Sequence, residues 1–276
     1  MKRGTIDAGD AVAKGEQGTE YPCLTALHDA LVRADVAAAG AIGRRCARSS
    51  VPAEALEATF VDAERIVAAR LRLAGAGARL GDLEALQVAI AAAPSPSPIA
   101  EAAPEGDGGA SIMLAALPGD LTEGGRGLWH WLLLRRGYAA VDLGVKAPAI
   151  VAGRAAGATA LGVYVSNRRA RTALQTLVAQ LLLRGVQVPV LVGGPGVDAE
   201  FAAWVAIPAG GEPYWGGVYF CEDGDELLDV LRQIVLFTPP PPAHVHGEHG
   251  AAADADTCAS CGGCPLVGAC DAAREL

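Results

Sequence analysis

A helical bundle followed by a five-stranded, doubly wound parallel sheet is the architecture that this 276-residue sequence predicts. Three observations carry it. Residues 21–93 place apolar side chains at helical spacing. Residues 111–236 alternate short apolar runs with helix-like stretches. The runs are apolar throughout rather than every second residue, as strands covered on both faces are.

In the first part, "CLTALHDALVRADVAAAGAIGRRCA" carries Leu24, Leu27 and Leu31, then Val36 and Ile42, with a break near Ala34. "PAEALEATFVDAERIVAARLRLA" follows, with Pro52 suited to a first helical turn, and "LGDLEALQVAIAAA" completes a set of four helices after a break at "GAGA". In the second part the expected strands are 111–117, 139–144, 160–166, 188–194 and 217–222. The expected helices are 125–136, 148–158, 169–184, 198–206 and 225–236. A flavodoxin-type order places a ligand crevice beyond the strand ends, between the first and third strands. The turns at 119–125, 166–169 and 193–196 fall there.

Two Pro-, Gly- and Ala-rich segments read as linkers, 94–110 and 237–257, and the polar residues 1–20 as a disordered tail. The net charge of −9, from 22 basic and 31 acidic residues, argues against a nucleic-acid surface. Neither a secretory signal nor a membrane-spanning run is present in the sequence, so the expected location is the cytoplasm. Cys23, Cys46 and Cys221 sit in apolar segments and read as small buried hydrophobes.

The order of parts and three stretches together resemble a known family. "GDLTEGGRG", "RRGYAAVDLGVKAP" and "VQVPVLVGGPG" look like the first turn, second strand and fourth strand of the cobalamin-binding module of methionine synthases, corrinoid carriers and light- or haem-sensing regulators. The resemblance covers roughly residues 21–236. It implies a tetrapyrrole site at Gly119, Asp120, Thr122, Gly125, Tyr164, Ser166, Gly193 and Gly194. The family signature Asp-x-His-x-x-Gly reads here as Asp120-Leu121-Thr122-Glu123-Gly124-Gly125, with threonine where the family's cobalt-ligating imidazole stands. The family's Ser-x-Leu falls on Tyr164-Val165-Ser166, so a bulky tyrosine replaces the small serine that lines the slot for the cofactor's benzimidazole tail. The light-sensing relatives press a Trp and a Glu-His pair on the corrin. This bundle has no Trp, has Glu84 followed by Ala85, and its one histidine is His28.

The resemblance therefore implies a sensor or regulator binding a corrinoid without a histidine lower ligand, or haem, and working with a protein partner. The alternatives are a corrinoid methyl carrier serving a methyltransferase and a ligand-free interaction module, in which Gly124 and Gly125 merely serve the turn. His130, in "LWHWLLL", is a candidate axial ligand or an ordinary packed histidine, and Tyr164 a pocket wall or an oxygen ligand. No nucleophile–base pair marks the crevice as catalytic. Finally, "CASCGGCPLVGAC" spaces Cys258, Cys261, Cys264 and Cys270 as ligands of an iron–sulfur cluster, of zinc, or as redox-active thiols. Upstream of it, His244, His246 and His249 read as solvated linker residues or, alternatively, as recruits for a transition metal.

Overall fold

A computed structural model of the chain describes residues 21–49, 51–74, 81–94, 110–120, 123–207, 211 and 213–237. The 1–20 tail, most of both linkers, Thr122, the three linker histidines and the cysteine tail lie outside them.

The expected architecture is present. Four helices come first: α1 (Pro22–Val32), α2 (Val36–Arg48), α3 (Ala53–Ala74) and α4 (Gly81–Ala92). Pro22 starts α1, where its missing N–H costs nothing. The chain turns at Ala34 in the left-handed region (φ 58°), and Asp35 then caps α2 by accepting from the Ala38 N–H at 3.0 Å.

The second part runs β1 (Ser111–Ala116), α5 (Gly124–Arg135), β2 (Ala139–Val145), α6 (Pro148–Arg154), β3 (Ala160–Tyr164), α7 (Arg171–Leu183), β4 (Val190–Gly193), α8 (Ala199–Val205), β5 (Val218–Cys221) and α9 (Gly224–Phe237). All neighbouring strands are parallel, in the order β2-β1-β3-β4-β5. The crossovers put α5 and α9 on one face and α6, α7 and α8 on the other.

Where strand and helix limits depart from the sequence expectation, a local bond explains it. β4 starts at Val190 rather than 188 because Pro189 has no N–H and contributes only its carbonyl, to Leu161 N at 2.8 Å. β3 stops at Tyr164 because the Ser166 N–H leaves the ladder for the Asp120 carboxylate. The helix expected from 169 begins as a 3-10 turn (Arg168–Ala170), with Asn167 accepting from the Arg169 N–H. Coverage of both faces fails at the two edge strands: β2 leaves Val141 and Val145 each 48% exposed, and β5 leaves Tyr219 exposed.

The bundle is not a separate globule. One apolar cluster contains Leu27, Phe60, Val67 and Leu86 of the bundle together with Leu128, Trp131 and Leu231 of the sheet domain. Phe60 meets Trp131 edge-on at 5.7 Å. Alongside, the Arg135 guanidinium donates to Glu57 at 2.9 Å, and Arg136 also pairs with Glu57. A second cluster fills the opposite face of the sheet. The bundle is a cap fused to one sheet face.

Candidate functional site

The loops after β1, β3 and β4 meet at the carboxyl edge of the sheet, as the sequence expectation has it. Asp120 is the knot. Its Oδ1 accepts from the Ser166 N–H at 2.7 Å and the Ser166 hydroxyl at 2.8 Å, and its Oδ2 from the Leu117 N–H at 3.2 Å. Asn167 adds a bond to the Gly119 carbonyl at 2.6 Å. Burial pushes the Asp120 carboxyl above its ordinary value, and the three donated bonds and Arg126 pull it back. Asp120 and Ser166 thus brace two loops against each other.

Tyr164 decides the shape of the crevice. It ends β3 and turns its ring inward, 1% exposed, edge-on to Trp129 at 5.4 Å. A Cβ on Gly125 would lie 1.8 Å from its Cζ, and one on Gly194 2.9 Å from its Cε1. Trp129 makes the matching demand on Gly193, where a Cβ would stand 2.6 Å from the indole Cζ2. These three glycines, singled out by sequence as a ligand cradle, are the bed of two of the protein's own aromatic rings. Gly124 faces the cap instead: its Cβ would stand 2.1 Å from the Leu83 carbonyl oxygen of α4.

The cap closes the crevice from above through α3. Glu64 accepts from the Gly224 N–H at 3.2 Å, and Arg65 donates to Asp223 at 2.7 Å. Glu64 is 1% exposed and lies beside the Tyr164 hydroxyl, which is buried without a well-aligned hydrogen bond. Burial, then the negative charge of Asp223, pushes the Glu64 carboxyl up to about 8, against the Tyr164 hydroxyl, the Gly224 N–H and Arg72. The same burial, with Glu64 next to it, holds the Tyr164 hydroxyl well above its ordinary value. Burial therefore biases Glu64 toward its neutral, protonated form.

A pH dependence follows. Below 4.5, the ordinary glutamate value, Glu64 is protonated folded or unfolded. Between 4.5 and about 8 only the unfolded chain ionises it, so its contribution to stability is lost as pH rises and changes no further above about 8. Glu64→Gln keeps an acceptor for Gly224 and removes the titration. Urea unfolding at pH 5 and pH 8 should show a smaller drop for the variant than for the native protein. An equal drop in both would assign the titration elsewhere.

His130 is corrected. Its Nε2 stands 3.4 Å from the Ala140 carbonyl near the start of β2, at the opposite end of the sheet from the crevice. Helix α5 turns Trp129 inward and His130 toward the edge strand. His28, the cap's histidine, pairs with Asp62 at 2.9 Å.

Glu64 and Trp129 were missed as site residues. The signal for Glu64 was present: Glu57, Phe60, Glu64, Val67 and Leu71 form one stripe at helical spacing on α3, and two carboxylates on an apolar stripe are out of place. Among the described residues no group of three or more His, Cys, Asp or Glu is placed to hold a metal ion. No described helix is long and apolar enough to cross a membrane.

No family model and no curated protein matches the sequence. Solved structures do. The monomethylamine corrinoid protein of Methanosarcina barkeri matches with a TM-score of 0.53 at 19% identity, over 75% of this chain and 96% of that one. The chain shares that protein's fold. Two further matches have lower scores. A cobalamin-binding protein from Desulfitobacterium hafniense DCB-2 has a TM-score of 0.40 at 19% identity, covering 76% and 98% of the two chains. The methanol:cobalamin methyltransferase complex of M. barkeri has 0.41 at 16%, covering 78% and 80%.

Proposed function

We propose that this chain is a sensor or regulatory module on the corrinoid-protein fold, and not a carrier that threads a cobalamin tail into its sheet. One observation carries the reading: the Tyr164 ring lies between Gly125 and Gly194, where the resemblance puts the tail's slot. The residues present do not fit a tail-inserted cobalamin. With Thr122 in place of the ligating imidazole, the tail has neither room nor a replacement ligand. Methyl transfer through a histidine-ligated cobalt is correspondingly disfavoured.

A tetrapyrrole that needs no slot is the ligand class consistent with this edge: a corrinoid keeping its own benzimidazole on cobalt, or haem. To admit one, the Glu64–Gly224 and Arg65–Asp223 contacts must part, since they now join cap to sheet directly. Those contacts also favour a second reading, an interaction module whose crevice takes no ligand. Under either reading Cys258, Cys261, Cys264 and Cys270 supply a redox element, as a four-iron cluster or as thiols, or else hold a structural zinc, and a protein partner receives the output.

The test is a visible-spectrum titration of the full chain with hydroxocobalamin and with haem, in air and under anaerobic conditions. The expected result is haem or corrinoid uptake with no displacement of the cobalt-bound benzimidazole by protein. Displacement would overturn the sensor reading in favour of the carrier. Failure of both ligands to bind would leave the interaction module. Anaerobic iron and sulfide in the same series reveal a cluster by its own absorption.

A further inference from the structure

We propose that Cys23 and Cys46 form a dithiol site in the cap that closes to a disulfide in exchange with a low-molecular-weight disulfide. This goes beyond the crevice and beyond the cysteine tail.

The two residues are far apart in sequence but level in space. α1 and α2 form an antiparallel hairpin about the turn at Ala34, where the Asp35 N–H bonds back to the Ala30 carbonyl at 2.9 Å. Cys23 stands in the first turn of α1 and Cys46 in the last turn of α2, at nearly equal distances along the chain from that turn. Both pack on the cap's apolar cluster, and Cys23 is near enough to Cys46 to influence its thiol electrostatically. Cys46 is 2% exposed and Cys23 half-buried, so the pair has one inner and one outer sulfur. Cys221, also free and buried, lies in β5 on the sheet.

The asymmetry orders the chemistry. Burial, followed by the neighbouring Cys23, pushes the Cys46 thiol up to about 12. An incoming disulfide therefore meets Cys23 first. The more exposed Cys23 sulfur, losing its proton to solvent, attacks one sulfur of the small disulfide, forming a mixed disulfide and expelling one small thiol. Cys46 then gives up its proton and displaces the second small thiol from Cys23. Two S–H bonds and the small molecule's S–S bond break. One Cys23–Cys46 bond forms, and the two electrons and two protons leave with two small thiols.

Closure also reaches the sheet. A Cβ on Gly43 of α2 would stand 3.3 Å from the Ala89 carbonyl of α4, so these helices are in close contact, and α4 in turn lies on Gly124. A staple across α1 and α2 stiffens the helix pair that supports the crevice loop.

The experiment uses the full chain with Cys258, Cys261, Cys264 and Cys270 changed to Ser, so that Cys23, Cys46 and Cys221 remain. Native protein is treated with oxidised glutathione, acid-quenched, unfolded, alkylated and mapped by mass. The expected product has lost two thiols and about 2 Da, with Cys23 joined to Cys46 and Cys221 alkylated, and dithiothreitol reverses it. Its melting temperature should rise by several degrees. Cys23→Ser, at a half-exposed position, should show neither change. The proposal is overturned if Cys23 stops at a glutathione adduct with Cys46 still alkylated. It is equally overturned if neither thiol reacts. The same treatment of the unaltered chain must give the same linked peptide; Cys23 joined to a tail cysteine instead would also refute it.

Discussion

Gly125→Ala is expected to destabilise the protein by about 3 kcal/mol, at the upper end of the usual cost of overpacking a core. The new methyl would overlap the Tyr164 ring, 1.8 Å from Cζ, and that ring is held by Trp129 on one side and Gly194 on another. Tyr164→Ser is expected to cost a similar amount alone, because removing a buried ring leaves a cavity. Together the two should cost clearly less than their sum, since the serine makes room for the methyl. Urea unfolding of the four proteins measures this coupling. Strict additivity would mean that the Tyr164 ring does not occupy the place described. The same Tyr164→Ser change, combined with Thr122→His, puts at both positions the residues that the resembled cobalamin-binding module carries. It should make the chain accept hydroxocobalamin with its benzimidazole displaced, which the native protein should not do.

Arg135→Leu is the second large effect. The guanidinium is 3% exposed and the Glu57 carboxylate it meets is 7% exposed. Removing one member of a buried pair typically costs about 3–5 kcal/mol, because the other charge is left desolvated. Here Arg136 also holds Glu57, which should place the loss toward the lower end of that range. Replacing Glu57 by Leu as well should recover part of it. A loss under about 1 kcal/mol, the range of surface pairs, would show that the cap does not rest on this bridge.

The strands and helices were legible because their signals are local. An apolar run between Gly or Pro punctuation, or a stripe at helical spacing, constrains the chain wherever it folds. Even the strand order followed, since parallel crossovers leave few topologies. The site was legible only in part. Gly125, Gly193 and Gly194 all pack against Tyr164 or Trp129, and in the sequence a glycine reports only that something approaches closely, not what. That the approaching group is Tyr164 depends on the direction a single side chain takes at the end of β3, which no spacing encodes. His130 shows the converse: two turns from the loop in sequence, it is rotated away because the Trp beside it fills the interior. Proposing Cys23 and Cys46 as partners required the turn at Ala34 to be known as a hairpin rather than as a break in a helix.

The single apolar cluster shared by cap and sheet has a consequence for cooperativity. A cap joined only by a linker would melt on its own, giving two transitions and two independent responses to sequence change. Here Phe60 and Trp131 belong to both parts, so exposing either exposes the other. The two halves should share one unfolding transition, and a perturbation at the hairpin or at the strand ends changes the population of one common ensemble. Shared packing of this kind ties the two parts together thermodynamically and leaves neither mechanically independent of the other.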